Sequence, residues 1–292
     1  MMIQDKIIIN EVGLRECFQK QKNLYSVDNK LELLNGLILS GLKHIQLCSF
    51  VSPKILPQMA DAEKFYFSAP KSNNINYSAF ILNTKGLNRA ISCGLGRLET
   101  SISLDDEYGL TNTGMDSERS LKELSKIVDL SHKNDIKLRI GLQCVWGRKN
   151  FKINIKNLSD KIDKIIAMRP HKICLADTAG IARPDTIKEY LEIVIPMVKD
   201  IPLVMHFHQT KNNWKENVHA AIDMGIREFD SSLGGEGGSP FLHSSKGNVP
   251  TEELAGLIDQ KGFHSGVDQS KIKKTVLKLN RILNKITDVT IA

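Results

Sequence analysis

The sequence predicts an α/β protein, a single closed (β/α)8 TIM barrel with its active site at the carboxyl ends of the strands. Short apolar segments alternate with amphipathic helical stretches from end to end, which is the pattern of βα units in a parallel sheet. Eight such units can be counted, and no linker rich in glycine or proline divides them. A chain of 292 residues is within the usual length of one such barrel.

The eight predicted strands are short apolar runs, and helical patterns follow nearly all of them. In chain order they cover residues 7–9, 44–47, 77–82, 97–103, 137–144, 172–175, 203–208 and 228–230. After the last unit, residues 271–285 carry apolar side chains at helical spacing among lysines, which predicts a solvated amphipathic helix. We therefore predict one barrel domain over residues 1–292 with a C-terminal helical extension.

A doubly wound open sheet is the competing arrangement of alternating strands and helices. In that fold a glycine-rich turn of the form G-x-G-x-x-G commonly follows the first strand. Here the first strand is followed by Glu11-Val-Gly-Leu-Arg15, which lacks this turn. The sequence therefore favours the closed barrel.

Composition excludes several classes of protein. The chain is 41% hydrophobic and 25% charged, which is typical of a soluble globular protein. It has no apolar run long enough to cross a bilayer and no cleavable signal pattern, so we expect a cytoplasmic protein without membrane contact. Its five cysteines form no C-x-x-C pair, so neither a zinc knuckle nor a disulfide framework is indicated. The net charge is +7, but the lysines are scattered and lack interleaved aromatics, so we expect no nucleic-acid partner.

Two histidines one residue apart, His206 and His208, end the seventh predicted strand. Alternate side chains of a strand share a face, so both imidazoles can reach one metal ion. The alternative is that one histidine is hydrogen-bonded in the core while the other faces solvent.

Other polar residues also fall at predicted strand ends. Arg15 and Glu16 follow strand one, Gln46 and Ser49 end strand two, and Asp177 follows strand six. A barrel would bring all of these side chains to the same mouth as the two histidines. This convergence favours the metal site over scattered core histidines.

Two imidazoles and one carboxylate suit a six-coordinate divalent ion such as Mg²⁺, Mn²⁺, Fe²⁺ or Co²⁺. Glu16 is the best candidate for the carboxylate. After strand eight the chain runs through the glycine-rich residues 231–248, where Asn248 could supply an amide oxygen. A merely flexible surface loop is the alternative interpretation of these glycines.

Several of these segments together resemble the 3-hydroxy-3-methylglutaryl-CoA lyase family of DRE-TIM metallolyases, and the resemblance extends over nearly the whole chain. The matching stretches are Glu11-Val-Gly-Leu-Arg15, residues 49–54 with 57–61, Asp177-Thr-Ala-Gly180, the two histidines, and residues 237–240 running on to 247–252. The related Claisen synthases have a shorter G-x-G-E-R-x-G-N turn, which is absent here.

The resemblance implies Mg²⁺ or Mn²⁺ held by Glu16, His206, His208 and Asn248. It also implies that Arg15 lies beside the substrate carbonyl and Asp177 near the reacting hydroxyl, with an acyl-CoA or another thioester as substrate. A base among Asp177, His206 and their neighbours would remove the hydroxyl proton. A homodimer is implied as well.

The chain departs from the family pattern at functional positions. Glu16 replaces an aspartate, Gln46 a glutamate, Ser239 a cysteine active in proton transfer, and Gln209 a usual aspartate. A neutral amide cannot act as a base, and a serine hydroxyl is a much poorer acid than a thiol. His243, Glu107 and Tyr108 are other candidates for the proton donor.

Three functions follow from this pattern. The first is a divalent-metal carbon–carbon lyase that performs a retro-Claisen cleavage of a 3-hydroxyacyl thioester through an enolate. The second is a Claisen-type condensing enzyme on the same scaffold. The third is a degenerate barrel that binds metal and ligand without catalysis. Retention of Arg15, Asp177, both histidines and Asn248 favours catalysis, whereas the changes at Gln46 and Ser239 point the other way.

Overall fold

A computed structural model describes residues 6–209, 213–238 and 247–284 of this chain. Eight parallel strands close into a barrel in the order β1 to β8, with β1 paired to β8. The predicted (β/α)8 fold is confirmed. The predicted domain bounds stay a prediction, because residues 1–5 and 285–292 lie outside the described residues.

All eight predicted strands are present, and most differ only at their ends. They are β1 Ile8–Glu11, β2 His44–Ser49, β3 Asn76–Phe80, β4 Arg97–Ser103, β5 Lys137–Gln143, β6 Lys172–Asp177, β7 Leu203–Phe207 and β8 Glu228–Ser231. The first strand runs to Glu11 because it pairs residue by residue with β8 as far as Ser231. Asp177 is the last residue of β6, since it pairs with Phe207, rather than the first residue of the loop.

Helices surround the barrel and connect its successive strands. They are α1 Gly13–Gln19, α2 Val27–Leu39, α3 Ala62–Ser68, α4 Thr84–Ser92, α5 Asp106–Thr113, α6 Ser117–Lys133, α7 Ile155–Ala167, α8 Pro184–Val198, α9 Trp214–Asp223, α10 Thr251–Gln260 and α11 Gln269–Ile282. The last of these is the predicted C-terminal helix. Among the described residues, none of the helices has the length and apolar character that crossing a bilayer would need.

The apolar core lies between the outer faces of the strands and the helices. On β5, for example, Leu138, Ile140 and Leu142 are buried toward the helices, as the two-residue period of a strand requires. Their alternating neighbours Arg139 and Gly141 face the inside of the barrel. The interior is therefore lined by polar and small residues, and it opens into the site described next.

Candidate active site

A cavity of about 340 Å³ opens at the carboxyl ends of the strands and descends into the barrel. Its walls come from β1, β2, β3, β4, β5, β6, β7 and β8 or from the segments that follow them. The lining residues that bear on function are Arg15, Glu16, Phe80, Glu99, Ser101, Tyr108, Asn112, Arg139, Gly141, Gln143, Cys174, His206, His208 and Asp230. The barrel thus gathers residues from both halves of the sequence at one place, as predicted.

The two histidines both line this cavity, and each is held through the same ring nitrogen. Nδ1 of His206 lies 3.0 Å from Oδ2 of Asp230, and Nδ1 of His208 lies 2.9 Å from the carbonyl oxygen of Asp177. Their ring centroids are 5.1 Å apart. Carboxylate and carbonyl partners at Nδ1 are the usual arrangement behind a metal-binding imidazole, since they leave Nε2 as the free ligand atom.

His208 is buried, and burial together with the neighbouring His206 lowers its pKa to about 4. Glu16 and the backbone hydrogen bonds act in the opposite direction but do not outweigh burial. His208 is therefore neutral near pH 7, which is the protonation state that a metal ligand requires.

Arg15 and Glu16 lie in α1 rather than in a loop, because the helix begins directly after β1. Nη1 of Arg15 donates to Glu16, Nε donates to the amide oxygen of Gln46, and the guanidinium lies 5.0 Å from the centre of the Phe80 ring. Burial raises the pKa of Glu16, but Arg15 and the two imidazoles outweigh it and lower the pKa to about 2. Glu16 is therefore ionised beside the histidines.

Asn248 is brought to His208 by an antiparallel bridge between the two residues. Its Nδ2 donates to the carbonyl of Glu236 at 2.9 Å, whereas its buried Oδ1 has no hydrogen-bond partner among the described residues. A buried oxygen without a donor is costly unless a ligand completes it. Gln209, one of the departures from the family, supports this segment because its Nε2 donates to the Asn248 carbonyl at 2.9 Å.

The glycines after β8 serve close packing around these groups. A Cβ on Gly237 would lie 2.6 Å from Cβ of Glu16 and 2.7 Å from Nδ2 of Asn248, and its φ of 100° favours glycine. The N–H of Gly238 donates to Oε2 of Glu16 at 3.2 Å. The glycine run is therefore structural where it is described, and it holds Glu16 and Asn248 near each other.

Asp177 is close to the histidines, but its carboxylate does not line the cavity. Its two oxygens accept hydrogen bonds from the N–H groups of Ile181, at 2.9 Å, and Ala182, at 3.1 Å. Burial raises the pKa of this carboxyl to about 6, although these backbone donors partly oppose the rise. In this arrangement Asp177 shapes the turn after β6 and orients His208 through its carbonyl.

Sequence reasoning missed the charged layer beneath the histidines. Arg139 donates to both oxygens of Asp230, at 2.5 and 3.0 Å, and also to Glu99. Asp230 in turn holds His206 and accepts from Nδ2 of Asn10 at 3.2 Å. Burial opposes ionisation of Asp230, but the Arg139 guanidinium keeps its pKa well below the usual range.

The remaining predicted residues are distributed differently. Gln46 contacts Arg15 from beside the cavity, and its buried Nε2 lacks a described partner. Tyr108 lines the cavity, whereas Glu107 pairs with Arg148 near the surface. Ser239 and His243 lie outside the described residues.

The donor set fits a divalent cation in type: two imidazoles with Nδ1 already occupied, an ionised Glu16, and an unpaired buried oxygen on Asn248. In the part of the chain that is described, no three His, Cys, Asp or Glu side chains are close enough together to form a complete metal site. Glu16 is instead paired with Arg15 and Gly238. The ligand set therefore stays a prediction.

Comparison with known proteins identifies one family. The HMGL-like family model matches residues 6–277. The mitochondrial hydroxymethylglutaryl-CoA lyase of Macaca fascicularis is 30% identical over 288 residues, which cover 98% of this chain and 89% of that enzyme. The hydroxymethylglutaryl-CoA lyase of Pseudomonas mevalonii is 28% identical over 271 residues, covering 92% of this chain and 90% of that enzyme.

Solved structures agree with the sequence comparison. The hydroxymethylglutaryl-CoA lyase of Pseudomonas aeruginosa superposes with a TM-score of 0.91 at 26% identity, covering 97% of this chain and 94% of that one. An HMG-CoA lyase from Acinetobacter baumannii, solved with coenzyme A and 3-methylmalate, gives a TM-score of 0.92 at 28% identity and covers 99% and 95% of the two chains.

Proposed function

Since this chain belongs to the HMGL-like family and is an enzyme resembling hydroxymethylglutaryl-CoA lyase, we propose that it cleaves a carbon–carbon bond in a 3-hydroxyacyl thioester and uses a divalent metal to do so. The observation that carries this proposal is the pair of imidazoles, each held at Nδ1, facing the same cavity as the Arg15 guanidinium. The cavity therefore presents metal-binding nitrogens and a permanent positive charge to one substrate.

The proposed reaction breaks the bond between the carbon that bears the hydroxyl and the carbon next to the thioester. The hydroxyl loses its proton, its carbon becomes a ketone, and the bonding electrons leave as a thioester enolate that is then protonated. When bound by Glu16, His206, His208 and Asn248, Mg²⁺ or Mn²⁺ would supply Lewis acidity toward the substrate oxygens. No oxidant or reductant is needed.

Arg15 is the residue we assign to the enolate oxygen. Its guanidinium is a planar cation, and its contacts with Gln46 and the Phe80 ring fix its direction in a buried setting. A positive group that is already in place where negative charge develops stabilises the transition state without further rearrangement of the site.

His206 is proposed to hold the metal through Nε2, since Asp230 engages its Nδ1, and Asp177 is proposed to act by positioning. The base for the hydroxyl proton is then a neighbour of these residues at the cavity, because a metal-bound imidazole has no free lone pair. Asp177 has both carboxylate oxygens engaged by backbone N–H groups, so it supports His208 and the turn after β6. Ser239 stays a predicted catalytic residue, and Tyr108, which lines the cavity, is our candidate for the proton donor to the enolate.

Further proposals concern partners and location. Coenzyme A in the Acinetobacter baumannii structure supports an acyl-CoA substrate. The five free cysteines suit a reducing compartment and support a cytoplasmic location. The homodimer and the absence of a nucleic-acid partner stay predictions from the sequence.

The test is cleavage of 3-hydroxy-3-methylglutaryl-CoA by the purified protein with Mg²⁺ or Mn²⁺, with metal content measured in parallel. We expect turnover that is lost in His206→Ala and kept in His132→Ala, an exposed histidine of α6. Bound metal without cleavage of any 3-hydroxyacyl thioester would contradict the proposed reaction. Equal activity in the two histidine variants would contradict the proposed site.

A further inference from the structure

The cavity has one wall that the proposed mechanism does not use, formed by β4 and β5. In the closed barrel, β5 lies across from β1, and Arg15 and Glu16 follow β1. Ser101 of β4 pairs with Gly141 of β5, and both line the cavity. A substrate held at Arg15 and the histidines would therefore direct its other substituents toward this wall.

Gly141 leaves a recess in this wall, although the backbone conformation at this position does not require glycine. Its φ is not in the left-handed region, and a Cβ placed on it would have only ordinary contacts, 3.4 Å from Cβ of Ser101 and 3.5 Å from the Thr100 carbonyl oxygen. Its neighbours on the same face, Arg139 and Gln143, both carry long side chains. The missing side chain at Gly141 thus leaves space that opens into the cavity rather than relieving a clash.

The groups around this recess are neutral and capable of hydrogen bonding. Oγ of Ser101 is buried and has no partner among the described residues. Nδ2 of Asn112 lies 3.5 Å from Oε1 of Gln143, and both residues line the same wall. A hydroxyl and two amides can both donate and accept hydrogen bonds.

The floor below the recess does not favour a negative charge. Arg139 contacts two carboxylates, Asp230 and Glu99, so its single positive charge is already matched. The other cation in the described lining, Arg15, follows β1, across the barrel from β5, and is the group assigned to the enolate oxygen. A terminal carboxylate at this wall would have no unpaired cation to meet, and its desolvation would go uncompensated.

We propose that the recess formed by Gly141, Ser101, Asn112 and Gln143 binds the larger substituent on the hydroxyl-bearing carbon, and that this substituent is neutral and hydrogen-bonding. The substrate class is then a 3-hydroxyacyl thioester with a branch longer than methyl that ends in a group such as a hydroxyl or carboxamide. This inference rests on the proposed thioester lyase function. Cleavage gives a ketone that retains the branch and an acetyl thioester, with the hydroxyl proton passed to the enzyme and one proton returned to the enolate carbon.

Three coenzyme A thioesters test the proposal: 3-hydroxy-3-methylglutaryl-CoA, its analogue with a carboxamide in place of the terminal carboxylate, and 3-hydroxy-3-methylbutanoyl-CoA. In the third, a methyl group replaces the longer branch. We expect the wild type to show kcat/KM at least about tenfold higher for the carboxamide than for the carboxylate. For each protein we take the ratio of kcat/KM for the carboxamide to kcat/KM for 3-hydroxy-3-methylbutanoyl-CoA. Gly141→Val should lower this ratio by about 10- to 100-fold. Ser101→Ala should lower it by about fivefold.

Gly96→Val is the matched control, because a Cβ there meets open space near the start of β4, at the opposite end of the barrel. Its ratio should equal that of the wild type. Gly141→Ala, which adds a single carbon with ordinary contacts, repeats the test with the smallest change to the wall. A preference for the carboxylate, or an unchanged ratio in Gly141→Val, would overturn the subsite.

Binding distinguishes failure of the subsite from failure of the lyase function. If none of the three thioesters is cleaved, the lyase proposal is overturned. Calorimetric binding of the carboxamide then tests the recess by itself. Weaker binding to Gly141→Val than to the wild type and to Gly96→Val supports the recess as the branch site. Equal binding to all three proteins would exclude the recess as the branch site.

Discussion

Replacing Glu11 by glutamine is expected to change how the stability of the barrel depends on pH. Glu11 ends β1 and is fully buried. Its Oε1 accepts from the N–H groups of Gly13, at 2.7 Å, and Leu233, at 2.9 Å, and its Oε2 accepts from the Thr251 hydroxyl. Burial nevertheless raises its pKa to about 7, because the hydrogen bonds only partly offset the loss of water.

The direction of the effect follows from the raised pKa. An unfolded glutamate has a pKa of 4.5, so the folded chain holds this proton over a pH range where the unfolded chain releases it. The contribution to stability is fully present below pH 4.5 and is lost as the pH rises through about 7. Glutamine cannot ionise, and its amide can donate to Thr251, whose hydroxyl lies 2.7 Å from that of Ser231.

The expected magnitude can be measured by urea unfolding of both proteins between pH 5 and 8. The free energy of unfolding of Glu11→Gln minus that of the wild type should rise by about 2.5 kcal/mol over this range. Glu192→Gln, on the exposed side of α8, is the control for loss of a surface carboxylate. A difference that stays constant within about 0.5 kcal/mol would refute the assignment of a raised pKa to Glu11.

Three further variants, the last with a matched control, test other parts of the structure. His208→Ala should remove bound metal and lower kcat/KM by at least about 100-fold, and full metal content by mass spectrometry would contradict its role as a ligand. Asp177→Asn should destabilise the protein by about 1–2 kcal/mol, because an amide leaves one of two backbone donors without an acceptor; unchanged urea unfolding would contradict this. Gly41→Ala should destabilise it by about 2–4 kcal/mol, since its φ is 92° and a Cβ would lie 2.3 Å from the Gly266 carbonyl oxygen. Gly94→Ala, with a φ of 81° but no neighbour within 4 Å, should cost less than half as much.

The fold could be predicted because each strand appears in the sequence as a short apolar run. The ends of the strands, by contrast, depend on pairing with residues distant in sequence. Glu11 and Asp177 are polar residues that continue strands because β8 and β7 pair with them. Their burial is possible only because backbone N–H groups and Thr251 satisfy their carboxylates. These partners belong to other parts of the chain, so no local pattern in the sequence could indicate them.

The location of the site could likewise be predicted from the barrel rule, which places Arg15, Glu16 and both histidines at one mouth. The layer of Arg139 and Asp230 was missed, although a signal for it exists. Both are charged residues within predicted strands, at positions that alternate with buried apolar neighbours, and such residues can only face the inside of a barrel. The direction of the Asp177 carboxylate had no such signal, because it depends on the backbone of the turn that follows.

The amide at Gln46 is the departure from the family that bears most directly on the chemistry, and the structure gives it a physical interpretation. Arg15 has Gln46, Glu16 and the face of Phe80 around it, so Glu16 is the one carboxylate paired with its charge in the described part of the chain. A glutamate at position 46, as in the lyases that this sequence resembles, would add a second carboxylate and reduce the positive potential that Arg15 presents to the cavity. Gln46 keeps the guanidinium oriented through the same oxygen while leaving more of that potential for an enolate. The substitution thus removes a candidate base but strengthens the group that would stabilise the developing charge, as the proposed carbon–carbon lyase reaction requires.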